Sequence, residues 1–572
     1  MKKIFAFVFA AAAMTIACSK EELNSTGEDS RTCTISAYVS EDGGTKVAVQ
    51  DNGTYISHIW KTGDAIAVFD GTEKKVFTLS VGAETSKGTF NGETLTGTAP
   101  FYAIYPNVDD ASISEGVITT EFKATQTYTA GSYDKDAVVM VASTEDITEP
   151  LPFKLASSFI EITLTPATAY TVKKVEVTSN GGEIIAGTGE VSYNSGTPTV
   201  NMTSGVPTVA VDFGTEGLAM TAGTSYTFYV ALPAVSLASG VSVAITGSDN
   251  KMILKKSSTL SLSRNTATEM PALTAVPSII NLSLANSAAV GLTTPETANC
   301  YVVNEAGTYA IPVDVRGNEE TPTLFGLTSV EEVWDENDKV GSEKLYGKYI
   351  TFKTEGDGNA LVAVKKGDDI VWSWHIWETS YVLGEDDVTF TKGKMMPVTI
   401  GAYKTVEFES NTYFNDNKIV FQYGRKDPFL AIKGKYSTTS ASRATVSESI
   451  KAPNVFVSNQ VGWCSDYNLN WNTTKTIYDP SPVGYKITSN ALRNEISAKT
   501  KEEVGTIGYN FGGLFLPNTY TFIKMESGKP QSTLAPEWVW VGIAQSSDTG
   551  VSLSTSFGAG HGLNVLCMRA PK

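Results

Sequence analysis

From Cys33 to about Leu273 the chain runs in short stretches of alternating apolar and polar residues, each cut by a turn rich in Gly, Asn or Asp. Thr34-Ile35-Ser36-Ala37-Tyr38-Val39-Ser40 has period two and stops at Glu41-Asp42-Gly43-Gly44. Ala65-Ile66-Ala67-Val68-Phe69 stops at Asp70-Gly71. Such runs predict strands, and Asn180-Gly181-Gly182 after Val172–Thr178 predicts a hairpin. Tyr226–Leu232 and Val241–Ile245 continue the pattern, and no part of this region carries a helical period. Two antiparallel β-sandwiches, 32–165 and 166–276, accommodate these strands. A polar-apolar joint at Pro277–Ala285 precedes a strand-rich block at 286–385. There Trp372, Trp374 and Ile376 share one strand face, and Val371, Ser373, His375 and Trp377 the other. Residues 386–572 are less regular and hold one predicted helix, Ser489–Lys501, which makes this an α+β region. The predicted fold class is mainly β.

The N-terminus changes the picture from fold to compartment. Lys2 and Lys3 precede an apolar run from Ile4 to Ala17, too short for a stable bilayer span, which ends at Thr15-Ile16-Ala17-Cys18. This resembles a bacterial lipobox, so 1–18 is read as a signal with Cys18 as the lipidated residue, and polar 19–31 as a tether. Acylation by palmitate-like chains contributes about 0.8 kcal/mol per buried CH₂ and holds a protein durably at a membrane. The expected location is the outer membrane and cell surface.

Composition then narrows the function. The chain has 572 residues and a net charge of −17, which becomes −19 once Lys2 and Lys3 are removed. An acidic surface repels phosphate backbones, so nucleic acid is not an expected partner. Three histidines (His58, His375, His561) lie far apart, and Cys33, Cys300, Cys464 and Cys567 form no CxxC pair. Neither Asp335-Glu336-Asn337-Asp338 nor Glu385-Asp386-Asp387 has the spacing of a calcium loop. There is no GxSxG, no phosphate-binding GxxxxGK[ST] and no HExxH. No catalytic residue, metal or cofactor is expected, and the chain is read as a non-enzyme.

Trp60-Lys61-Thr62-Gly63-Asp64-Ala65-Ile66-Ala67-Val68, Phe101-Tyr102-Ala103-Ile104-Tyr105-Pro106 and Tyr133-Asp134-Lys135-Asp136-Ala137 through Ala142 occur in that order. With Phe153-Lys154-Leu155 and Ile160–Leu164, they make 32–273 resemble fimbrillin-like lipoproteins of Bacteroidetes (type V) pili. Further on stand Thr297–Val303, Trp372–Trp377, Phe421–Phe429, Tyr478–Tyr485, Gly512–Pro517 and Val565–Arg569. Through them 286–572 resembles the Fibrobacter-succinogenes-type major paralogous domain, related to C-type-lectin-like folds.

The first resemblance implies transthyretin-like pilin domains that assemble by strand exchange with other pilus subunits. Thr34–Ser40 is then the leaving strand and Lys46 the proteolytic processing site; a solvated loop lysine is the plainer reading of Lys46. A C-terminus folded into a domain implies a terminal subunit, the tip, that accepts a strand and donates none. The second resemblance implies a lectin-like head with a glycan or protein receptor. Trp463, Trp471, Trp538 and Trp540 are its ligand-contacting candidates, against the reading that these indoles fill the core. The family usually has Cys where this chain has Ser481, which leaves Cys567 to pair with Cys464 or to stay a buried thiol. The alternative function is a glycan-binding surface lipoprotein outside any pilus.

Overall fold

The computed structural model describes residues 32–40, most of 58–540, and 562–570, and the chain is mainly β. The first ten strands are β1 (Thr32–Val39), β2 (Ala65–Asp70), β3 (Glu73–Val81), β4 (Lys87–Glu93), β5 (Phe101–Tyr105), β6 (Ser112–Ser114), β7 (Val117–Phe122), β8 (Thr125–Thr127), β9 (Met140–Thr144) and β10 (Leu151–Leu155). Seven of them close into a barrel in the order β1, β10, β9, β5, β2, β3, β4. Ile66 and Val68 fill its interior, while Ala67 and Phe69 pack outward beneath Ile118, Phe122 and Val191. Covering on both faces explains why β2 reads as a continuous apolar run.

In the second unit, strand Tyr170–Ser179 is central. It pairs antiparallel with Thr208–Asp212 and with Val241–Gly247. The hairpin expected at Asn180-Gly181-Gly182 is not formed, because the next strand, Ala186–Asn194, pairs with Thr197–Val206 and with β7 of the first unit. Asn180 directs the loop elsewhere: its Nδ2 donates to Ser239 O at 2.9 Å, and its Oδ1 accepts from Ser242 Oγ at 2.6 Å. Gly182, at φ +82°, lies where a Cβ would meet Gly326 N at 2.6 Å. A second sheet, built on Ser157–Pro166 and Tyr226–Pro233, faces the first across a core that includes Ile160, Val175, Phe228 and Ile245.

The stretch expected as a joint is regular structure. Ile279–Asn281 is a strand that pairs with Lys251–Lys256 on one side and with Gly307–Pro312 on the other. One sheet therefore runs from the second unit into the third, through Tyr349–Thr354 to Val340–Tyr346. Asn281 then caps helix Leu282–Ala289, its side chain accepting from Ser283 N and Leu284 N. A second sheet orders Cys300–Val303, Asp369–Glu378, Gly358–Lys366 and Ser329–Asp335. Trp372 through Glu378 is buried on both faces. A single hydrophobic cluster spans Leu282 to Cys567 and so draws on both sides of the expected 385/386 boundary. The helix expected at Ser489–Lys501 is Asn490–Ser497, shorter at its C-terminal end, with Ser489 Oγ accepting from Leu492 N. A six-residue helix, Val446–Lys451, has a capping box from Thr445 and Glu448 and had no periodic signal. Among the described residues no helix is long and apolar enough to cross a membrane.

Candidate functional site

The groove that holds β1 is built by its neighbours. Thr32–Tyr38 pairs antiparallel with Lys87–Glu93, and Ala37–Val39 pairs parallel with Leu151–Phe153. Among the described residues β1 is thus the only strand between β4 and β10, and without it the barrel has two open edges. Its inward residues alternate as the pattern predicts, Ile35 and Ala37 being buried and Cys33 and Val39 partly so. The floor beneath is aromatic. Trp60 meets Phe90, Tyr105 and Phe153 edge-on, with centroids 5.0, 5.4 and 5.7 Å away. Ala37 lies opposite Gly88, where a Cβ would come within 3.0 Å of Trp60 Cδ1 and 2.7 Å of Leu79 Cδ1. Two small residues face each other there because the indole occupies the space. Cys18 and Lys46 lie outside the described residues, as does His561.

The aromatic candidates divide. Trp463 and Trp471 are 1% and 0% exposed. Trp463 Nε1 donates to Tyr423 O at 2.8 Å, and Trp471 packs edge-on against Tyr423 at 5.1 Å. Neither offers a ring face to a ligand, so of the two readings given for these indoles the candidate stacking role is ruled out and they fill the core. Trp538 lies outside the described residues, and Trp540 is placed only as part of strand Val539–Trp540. Of the two alternatives for Cys567, the structure has the buried thiol and not the bond to Cys464, since both are free. Cys464 packs with Val457 and Trp463. Cys567 sits in strand Cys567–Arg569, with its Sγ 3.0 Å from Ser481 Oγ. Ser481 is therefore beside Cys567.

One constellation escaped the sequence pattern. Parallel pairing puts Cys300 next to His375, Sγ to Nδ1 3.4 Å, and His375 Nε2 is 2.9 Å from Asn359 Oδ1. Asn359 Nδ2 already donates to Glu336 and to Gly401 O, so its Oδ1 faces the imidazole and Nε2 carries the proton. Nδ1 is then the acceptor for the thiol. Burial pushes the His375 imidazole down to about 3 and the Cys300 thiol well up. A thiolate nucleophile needs the opposite shifts and an access path. Cys300, Asn359 and His375 are at most 2% exposed, and they form a neutral structural relay. Among the described residues, no group of three or more His, Cys, Asp or Glu side chains is arranged to hold a metal.

No family model and no curated protein matches the chain.

Solved structures do. A proposed cell adhesion protein from Bacteroides ovatus is 16% identical, over 38% of this chain and 83% of its own, with a TM-score of 0.26. One from Bacteroides uniformis is 17% identical, over 42% of this chain and 93% of its own, also at 0.26. A proposed adhesin from Bacteroides ovatus is 9% identical, over 44% and 99%, at 0.17. Such low identities and scores define neither a family nor a fold match for this chain.

Proposed function

We propose that this chain is exported as a lipid-anchored precursor and, once cut, serves as a cell-surface adhesin, the terminal, tip subunit of a pilus assembled by strand exchange. The observation that carries this reading is β1, a strand pinned along both edges, which fills an aromatic-floored groove with Ile35 and Ala37. Its removal exposes an apolar slot and two rows of backbone groups, which a strand from another subunit satisfies. Cleavage at Lys46, after β1, releases that strand.

The pairing of strand Cys567–Arg569 supports the terminal position. Strand Cys567–Arg569 lies between Gly393–Met395 and Tyr485–Ile487, and Arg569 Nε is 3.1 Å from Asp387 Oδ2. Held on both sides and by an ion pair, that strand is not available for donation. The likeness of Thr15–Cys18 to a lipobox supports a precursor held at the outer membrane, with the head formed by 386–572 facing the environment and its receptor.

The test is immuno-electron microscopy of cells with antibody to residues 386–572. Label confined to filament ends is expected; label along shafts, or on cell bodies alone, overturns the tip assignment. The intact mass of the surface-exposed protein checks processing, since an N-terminus at acylated Cys18 in the assembled form excludes the cleavage.

A further inference from the structure

A cavity of about 330 Å³ opens beside helix Val446–Lys451. Its polar lining is Arg425, Thr439, Arg443, Glu448 and Ser449, and Val455 and Val457 form part of its apolar wall. We infer that this cavity binds the carboxylate of a small polar ligand, of the size of one sugar acid or one amino-acid residue. The inference is independent of the fibre reading.

Arg425 supplies the charge. It is 1% exposed, yet every hydrogen-bond partner of its guanidinium is neutral. Nη1 donates to Val455 O at 2.9 Å and Gln422 Oε1 at 3.3 Å, and Nη2 to Ala452 O at 3.0 Å and Pro453 O at 3.1 Å. Nε is buried and has no partner. The acid nearest in sequence, Asp427, has its Oδ1 committed to Lys426 at 2.5 Å and to Ser373 Oγ at 2.7 Å. Burial lowers Arg425 to about 10, the nearby charge of Asp427 opposing it only in part and making no hydrogen bond to the guanidinium. Phe429 and Trp463 lie 4.6 and 5.5 Å from its guanidinium carbon and fix its plane.

The rest of the lining fits the same ligand. Arg443 is exposed, has no ion-pair partner among the described residues, and adds a second cation. Glu448 keeps its negative charge, its Oε2 held by Thr445 N at 2.7 Å and Thr445 Oγ1 at 2.9 Å, so two cations face one anion across the lining. Ser449 Oγ donates to Val446 O at 2.7 Å, which leaves its lone pairs to accept from a ligand hydroxyl or amide. A cavity at the small end of the ligand-site range, positive and with an apolar wall, excludes a bulky polymer and selects one acidic unit.

Calorimetric titration of the full chain with glucuronate, with N-acetylglycine and with glucose tests this. Saturable binding of at least one acid and none of glucose is expected, and the preferred acid tells a sugar acid from a peptide C-terminus. Arg443→Gln, an exposed change that leaves the core intact, should weaken binding by about tenfold or more. The inference is overturned by no saturable binding of either acid up to about 10 mM, the weak limit for a specific site. It is equally overturned by glucose binding as well as the acids, or by unchanged affinity in Arg443→Gln.

Discussion

His375 and His58 are buried as neutral imidazoles, and each is lowered to about 3, first by burial; Lys135 and Lys61 add to the effect at His58. In the unfolded chain both titrate near 6.5, so as pH falls below that value the unfolded state takes up protons that the folded state refuses. Their contribution is fully present above pH 6.5 and is lost toward pH 3, by about 2 kcal/mol each at pH 5. Urea midpoints measured from pH 7 to 5 should fall accordingly, and His375→Gln should remove one proton from that dependence. Ser481 gives a second prediction. Its Oγ is 3.0 Å from Cys567 Sγ, so Ser481→Cys should form a disulfide under oxidation and stabilise the chain by about 2–4 kcal/mol. Thiol counting by mass, with and without reductant, checks it; two persistent free thiols would refute the geometry. The resemblance pointed to this pair, but the Cys300–His375 pair was not legible, because 75 positions separate two residues that only a parallel strand register brings together.

At the scale of elements, alternation was the reliable guide. It placed Ile35 and Ala37 on one face of β1, and they are the residues that fill the barrel. Ile35→Ala leaves a cavity and should cost about 2–5 kcal/mol. Ala37→Leu drives a branched side chain at the Gly88–Trp60 contact and should cost about 1–3 kcal/mol, whereas Ser36→Val, on the exposed face, should be nearly neutral. Chemical denaturation of the three variants checks the order; equal costs at 36 and 37 would mean that β1 does not lie in this register. Pairing was less legible than strand existence. The Asn180-Gly181-Gly182 signal marked the end of a strand but not the hairpin it predicted, because the next strand pairs with β7, some seventy positions upstream. Trp463 and Trp471 were ambiguous for a related reason: they lie on loops without periodicity, so nothing in the sequence distinguishes a buried indole from an exposed one.

At the scale of the molecule, what unites the middle of the chain is an ionic clasp between elements far apart in sequence. Glu176 on Tyr170–Ser179 meets Lys348 Nζ at 3.1 Å and accepts from Tyr349 OH at 2.8 Å, while Lys348 also reaches Asp314 Oδ2 at 3.5 Å. Burial alone would raise the Glu176 carboxyl, but Lys348 and Lys174, with the Tyr349 hydrogen bond, hold it down to about 2. Asp314 is raised, because burial outweighs the pull of Lys348. Since Glu176 is depressed, its contribution is complete above its unfolded value near 4.5 and is lost as pH falls toward 2. Lys348→Met leaves two buried carboxylates without the one cation they share, Glu176 keeping only half-exposed Lys174, and should cost about 3–5 kcal/mol at pH 7. In that variant only Lys174 and the Tyr349 hydrogen bond oppose burial at Glu176, so protonation relieves the penalty and the difference from the parent should shrink as pH is lowered from 7 to 3. Calorimetry adds a second readout. With the continuous sheet and the clasp intact, residues 166–354 should melt as one cooperative transition, and Lys348→Met should broaden or split it. A variant that melts at the parent's temperature with the parent's width would mean that the sheet alone couples the two units and that the clasp adds nothing.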